Sequence, residues 1–281
     1  MIRISYAVRS DMGRKNPNNE DNLYCDGHIL TAETRDLPFE AHGSLRGPAA
    51  FAVFDGLGGY QAGEVASFIG AEMLRDEMPS LLGDDREGRL RRYASRVTRE
   101  IVNRVKESAA PMGTTLALAG VEDDSVCVCH IGDSRVYALD EAGFRLLTTD
   151  HTLAMYKVRI GLLSEAEARQ SKDWSRLTAC LGFLDAKGDE YPIEVGAPLI
   201  RRGTMRLLLC SDGLSDMVDD ARIEQILRSA APREAASQLM NEALNNGGVD
   251  NVTVLVVEIK EDFFARLKYR FFQKKGEVDE S

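Results

Sequence analysis

Histidine is scarce in this chain. There are four in 281 residues, and no two sit at the spacing that ligates zinc, so a zinc centre is not expected. The five cysteines (Cys25, Cys127, Cys129, Cys180 and Cys210) are odd in number and sit mostly in apolar runs. That excludes a disulfide framework and points to reduced, buried thiols in a cytoplasmic protein. Positive charge is in deficit: the formal net charge is −10, which disfavours nucleic acid or an anionic membrane as the main partner. No apolar run approaches the roughly 20 residues of a membrane span. The opening MIRISYAVRSD lacks an apolar stretch of signal-peptide length. Internal repeats and low-complexity linkers are also missing. What remains is a chain with 44 % hydrophobic residues, enough for a sizeable core. It reads as one domain over residues 1–260, followed by a short tail, 261–281.

Short runs rich in Val, Ile, Leu and Phe, bounded by Gly, Asp and Asn, predict strands at 2–8, 50–54, 114–121, 126–131, 135–139, 144–148, 206–210 and 252–259. The pair 135–139 and 144–148 reads as a hairpin. Helical stripes lie between them: Ala62, Val65, Ala66, Ile69 and Met73; Leu90, Ala94, Val97, Ile101 and Val105; Ile223, Ile226 and Leu227; and Ala236, Leu239, Met240, Ala243 and Leu244. The last stripe opens near Pro232 and closes at Gly247-Gly248. Strands come in clusters and do not alternate strictly with helices. Antiparallel sheets with helices layered outside are therefore expected, an α+β arrangement. The polar stretch 151–180 reads as a flap or surface excursion, with a short helix starting at the capping box Ser164 to Glu167.

Acids recur where greasy runs end. Phe51-Ala52-Val53-Phe54 delivers Asp55 into Gly56, Gly58 and Gly59. Leu207-Leu208-Leu209-Cys210-Ser211 delivers Asp212-Gly213, and Asp250-Asn251 precedes the strand from Val252. Glu20-Asp21 follows the first strand, and Gly132-Asp133-Ser134 joins two strands. One such acid is ordinarily a turn residue. Several together are expected to be protonated or bound to cations, because two carboxylates about 4 Å apart repel by roughly 4 kcal/mol at an effective dielectric near 20. Oxygen ligands without histidine point to Mg²⁺ or Mn²⁺. Two such ions sharing a carboxylate would acidify a bridging water for in-line attack at phosphorus.

Seven segments in order then carry a resemblance: Asn19-Glu20-Asp21-Asn22, Asp55-Gly56-Leu57-Gly58-Gly59, Gly113-Thr114-Thr115, Gly132-Asp133-Ser134-Arg135, Asp150-His151, Ser211-Asp212-Gly213 and Asp250-Asn251-Val252-Thr253. From about residue 5 to 259 the chain resembles the metal-dependent serine/threonine protein phosphatases of the 2C type, in their bacterial branch. The resemblance implies a four-layer sandwich of two antiparallel β-sheets flanked by antiparallel α-helices. It implies hydrolysis of phosphoserine and phosphothreonine in proteins by a hydroxide bridging two divalent metals, without a phosphoenzyme. Asp55 resembles the acid that bridges both Mn²⁺ or Mg²⁺ ions, and the Gly56 carbonyl a ligand of one. Asp212 and Asp250 resemble ligands of one ion, and Glu20 and Asp21 those near the other. Asp133 resembles a ligand, shared with Asp212, of a third ion. Asp55, Asp212 and Asp250 are thus the expected catalytic set.

Two positions depart from the family. Its usual phosphate-binding arginine aligns with Asn16, so Arg14 is expected to substitute through its bidentate fork, with Lys15 in reserve. The residue after Gly56 is a histidine in eukaryotic relatives. Leu57 donates no proton, so a metal-bound water would have to serve the leaving group.

Other chemistries fit less well. Cys129 and Arg135 have the spacing of a cysteine-dependent phosphatase loop, but no helix begins after it to activate a thiolate. Asp55-Gly56-Leu57-Gly58-Gly59 lacks the Lys-Ser/Thr of a nucleotide-binding loop. A scaffold that binds phosphoproteins without hydrolysing them would have no need of the acids. His130, His151 and Cys210 read as structural residues. The expected partners are a phosphoprotein substrate and an opposing serine/threonine kinase. In the tail, Phe263, Phe264, Leu267, Phe271 and Phe272 alternate with Arg266, Lys268, Arg270, Lys274 and Lys275. Packing of this segment on the acidic domain is preferred to membrane contact.

Overall fold

The structure is a computed structural model that describes residues 2–57, 62–83, 85–201 and 203–261, with the side chains of 79 and 80 excepted. The glycines at 58 and 59 and the tail 262–281 lie outside the described residues, and so do the expectations placed on them.

The chain opens with β1 (Ile2–Asp11), β2 (Asn22–Cys25), β3 (Phe39–Arg46), β4 (Ala49–Phe54) and the two-residue β5 (Gly56–Leu57). Two long helices follow, α1 (Gly63–Leu81) and α2 (Arg86–Ser108). Next come β6 (Gly113–Thr114), β7 (Leu116–Val121), β8 (Ser125–Ile131), β9 (Arg135–Asp140) and β10 (Gly143–Leu146). An excursion carries α3 (Leu153–Arg159) and α4 (Glu165–Arg169), then β11 (Glu194–Val195) and β12 (Leu199–Ile200). The chain closes with β13 (Met205–Cys210), α5 (Asp212–Ser215), α6 (Asp220–Ser229), α7 (Pro232–Asn245) and β14 (Val252–Glu261).

One sheet has the order β10-β9-β13-β14-β1-β3. The other runs β11-β8-β7-β4-β2, with β12 also on β8. The named strand pairs in both are antiparallel. Three apolar cores separate four layers. Phe51, Val53, Val126, Val128, Leu207, Leu209, Leu255 and Val257 fill the space between the sheets. The alternate residues of the same strands face helices. Ala52, Phe54, Leu116 and Leu118 pack on Ala66, Ile69, Tyr93 and Val97 of α1 and α2, while Leu208, Val254 and Val256 pack on Ile223, Ile226, Leu239 and Met240 of α6 and α7. Burial on both faces is why these strands read as unbroken greasy runs.

The structure adds and corrects elements. β3, FEAHGSLR, alternates half-buried and exposed residues along the edge beside β1 and holds no apolar run. The expected strand 114–121 is interrupted at Thr115: β6 leaves to pair with β5, and only from Leu116 does β7 join the sheet. The hairpin of β9 and β10 and the capping box at Ser164 are present as expected. No helix among the described residues is long and apolar enough to cross a membrane.

Candidate metal centre

The antiparallel pairing of β1 with β14 brings Asp11 opposite Val252. The loop after β1, which carries Glu20 and Asp21, therefore meets the turn before β14, which carries Asp250. Asn251 locks the two together. Its Oδ1 accepts from the Glu20 amide at 2.7 Å, and its Nδ2 donates to the carbonyls of Met12 and Asn18. Asp21 is buried beneath them. Its Oδ2 accepts from Ser211 Oγ and Thr253 Oγ1, both at 2.7 Å, whereas its Oδ1 has no partner among the described residues.

Asp55 follows β4. Its main chain is pinned to Thr115, whose Oγ1 accepts from the Asp55 amide and whose own amide donates to the Asp55 carbonyl, both at 2.9 Å. The same Thr115 hydroxyl lies 2.7 Å from Ser134 Oγ, next to Asp133. Gly56 donates to the Glu20 carbonyl, and a Cβ there would collide with the carbonyls of Gly63 and Glu20. Only glycine lets the chain pass at that point. Asp212 follows β13 as the first residue of α5.

Oxygens of Asp55, Asp133 and Asp212 all lie within 4.8 Å of one another. With Glu20, Gly56, Leu57, Asp250, Asn16, Asn251, Ser175 and Leu177, they line an open cleft of about 560 Å³. The charges weighing most on Asp55 are all carboxylates: Asp212, Asp21, Asp133 and Asp250. Burial, then this repulsion, holds Asp55 and Asp212 well above the ordinary carboxylate range. Burial pushes Asp21 and Asp133 to about 7, and burial with Glu64 does the same to Glu20. Crowded carboxylates, an oxygen of Asp21 with no partner among the described residues and a donor set free of sulfur and nitrogen fit hard divalent ions.

Arg14 and Lys15 are not among the cleft-lining residues. Arg14 Nε donates to the Leu244 carbonyl at the end of α7, at 2.9 Å. That loop enters the cleft from Asn16 onward, with Pro17, Asn18 and Glu20, and Asn16 Nδ2 donates to Asp250 Oδ1 at 2.6 Å. Cys129 is buried in β8 with its thiol pushed up by burial, and Arg135 forks onto Asp150, so the two make no anion cradle. The stretch 151–180 packs beside the cleft. Trp174 Nε1 donates to Asp216 Oδ1 at 2.8 Å, and Arg135 and Arg169 lie over its ring. Sequence reasoning missed Asn251, Ser211 and Thr253 as clamps, although the first two adjoin a motif acid and Thr253 lies three residues after Asp250, and it gave Trp174, the sole tryptophan, no role.

A family model described as Protein phosphatase 2C matches residues 38–246. The chain is 35 % identical over 258 residues to a serine/threonine phosphatase stp of Listeria innocua, covering 89 % of this chain and 94 % of that one. It is similar in structure to the serine/threonine phosphatase PstP of Mycobacterium tuberculosis, with TM-score 0.78, 31 % identity, and 92 % and 100 % of the two chains covered. It is also similar to a PstP catalytic domain solved with two manganese ions, with TM-score 0.77, 30 % identity, and 93 % and 100 % covered.

Proposed function

The chain belongs to the protein phosphatase 2C family, and from that premise we propose that it is a metal-dependent enzyme that hydrolyses phosphoserine and phosphothreonine in proteins. The observation that carries the reading is the meeting of Asp55, Asp133 and Asp212 oxygens within 4.8 Å in the cleft. Asp55, Asp212 and Asp250 would hold the ion pair, with the Gly56 carbonyl. Glu20 and Asp21 would act near one ion, and Asp133 at a third. When bound, Mn²⁺ or Mg²⁺ supplies Lewis acidity, acidifying a solvent molecule between the ions for direct in-line attack without a phosphoenzyme.

The chain's own groups prepare that site. Ser211 and Thr253 fix one Asp21 oxygen, and the other has no donor among the described residues. Asn16 fixes one oxygen of Asp250. Thr115 ties Asp55 to the turn that carries Asp133. Leu57 lines the cleft and has no proton to give, so the leaving alkoxide takes its proton from solvent there. Arg14 and Lys15 are kept as phosphate-binding groups because their loop borders the cleft, although Arg14 must release the Leu244 carbonyl to serve. An opposing serine/threonine kinase and a cytoplasmic location complete the proposal; five unpaired, buried thiols support the second.

The test is turnover of a phosphopeptide with Mn²⁺, with chelator, and after iodoacetamide. Loss with EDTA and indifference to iodoacetamide are expected. Turnover that resists EDTA but not iodoacetamide would return the reaction to a cysteine, and Mn²⁺ binding without turnover would leave a scaffold.

A further inference from the structure

Outside the cleft, His130, His151 and Glu194 each offer a ligating atom within 4.8 Å of the others. The rings stack with centroids 5.0 Å apart. Their hydrogen bonds argue against a metal. His151 Nδ1 accepts from the Gly132 amide at 3.2 Å, and His130 Nε2 lies against the main chain of Thr149, 3.0 Å from its carbonyl oxygen and 3.1 Å from its amide. A neutral imidazole has one acceptor nitrogen, and in His151 it is taken by the Gly132 amide, while the Nε2 of His130 is engaged by the Thr149 main chain. His151 thus carries its hydrogen on Nε2, the atom 3.1 Å from Glu194 Oε1.

The same bonds give the cluster another use. The His151 amide donates to the Gly132 carbonyl at 2.9 Å, so one residue engages both polar main-chain atoms of Gly132. Gly132 has φ +98°, a conformation that favours glycine, and the next residue is Asp133. Glu194 reaches the ring from β11, which pairs only two residues, Glu194 with His130 and Val195 with Cys129.

We propose that His151, braced by Glu194, is a positioning residue that aims the Asp133 carboxylate at the site shared with Asp55 and Asp212. The inference rests on the reading of Asp133 as a metal ligand. Groups that orient ligands typically matter 10- to 100-fold in metal affinity. A leucine at 151 would leave the Gly132 amide without its acceptor, whereas asparagine offers an amide oxygen near the position of Nδ1.

The experiment titrates Mn²⁺ against the protein and follows free Mn²⁺ by electron paramagnetic resonance, with melting in EDTA run alongside. His151→Leu is expected to weaken Mn²⁺ binding about tenfold, and His151→Asn by less than about threefold. In an Asp133→Ala background, His151→Leu is expected to add nothing. Should His151→Leu fail to fold, Glu194→Ala on the half-exposed β11 takes its place, with a loss of about threefold that also vanishes in Asp133→Ala. An asparagine variant as impaired as leucine, or a loss that persists undiminished without Asp133, would overturn the positioning role alone. Asp133→Ala with unchanged Mn²⁺ binding would instead remove the ligand reading, and this inference with it.

Discussion

Replacing Asp55 by asparagine should stabilise the ion-free protein while abolishing its chemistry. Oxygens of Asp55, Asp133 and Asp212 lie within 4.8 Å of one another, and at that separation two full charges repel by about 3.5 kcal/mol at an effective dielectric near 20. Asp55 belongs to two such pairs. Proton uptake relieves much of that repulsion, because Asp55 and Asp212 are held well above the ordinary carboxylate range. A residual penalty on the order of 1–2 kcal/mol is left for the amide to remove, which for a domain of this size is about 3–6 °C in melting temperature. The parent recovers through its ions, gaining about 2.7 kcal/mol when free metal is 100-fold above its dissociation constant. The order of stability therefore inverts. In EDTA, Asp55→Asn melts above the parent; in saturating MnCl₂ the parent melts above Asp55→Asn. Calorimetric scans of both proteins in both buffers read this directly, with turnover measured on the same samples. An Asp55→Asn protein that melts below the parent in EDTA, or that gains as much from Mn²⁺ as the parent does, would refute the idea that these acids are strained together for a cation.

Leu57→Ala should keep more than a tenth of the parent's turnover, because Leu57 only lines the cleft, while Asp55→Asn keeps almost none; equal losses in the two assays would undo that division of roles. Arg14→Ala should raise the KM for a phosphopeptide about fivefold, the worth of one exposed charge-assisted bond near 1 kcal/mol, with kcat nearly unchanged. A lower melting temperature at constant KM would show instead that the side chain serves only the end of α7 through Leu244. Trp174→Ala removes the bond to Asp216 and the ring beneath Arg135 and Arg169, so trypsin should cut the 151–180 stretch at Lys157 or Lys172 several-fold faster than in the parent. Unchanged cleavage rates on a time-course gel would show that Trp174 does not hold that stretch down.

What the sequence made legible depended on burial. Strands buried on both faces, such as LLLC at 207–210 and the run from Val252, announced themselves, and their acids at one end announced the site. The edge strand β3 stayed silent because half of its residues face water, and β2 because it has four residues and follows a polar turn. Thr115 reads from the sequence as a strand residue and a member of the Gly113-Thr114-Thr115 motif, with no role of its own. Its actual work, binding the Asp55 backbone and reaching Ser134, is a contact between segments that no local pattern encodes. The same limit governs Arg14 and Asn16. From the chain alone an arginine in a polar turn beside the acids is the natural phosphate anchor, and nothing in GRKNPN says that Leu244, 230 residues away, presents a carbonyl to it. In the sequence Asn16 reads only as a missing arginine, yet its amide holds an oxygen of Asp250. The proposed ligands are legible because charge at a strand end is costly in any context. The groups proposed to aim them act at short range, so only the folded geometry separates His151 or Asn251 from any other turn residue. Tests of this site are therefore most informative at the proposed aiming residues, where the sequence is least able to anticipate the result.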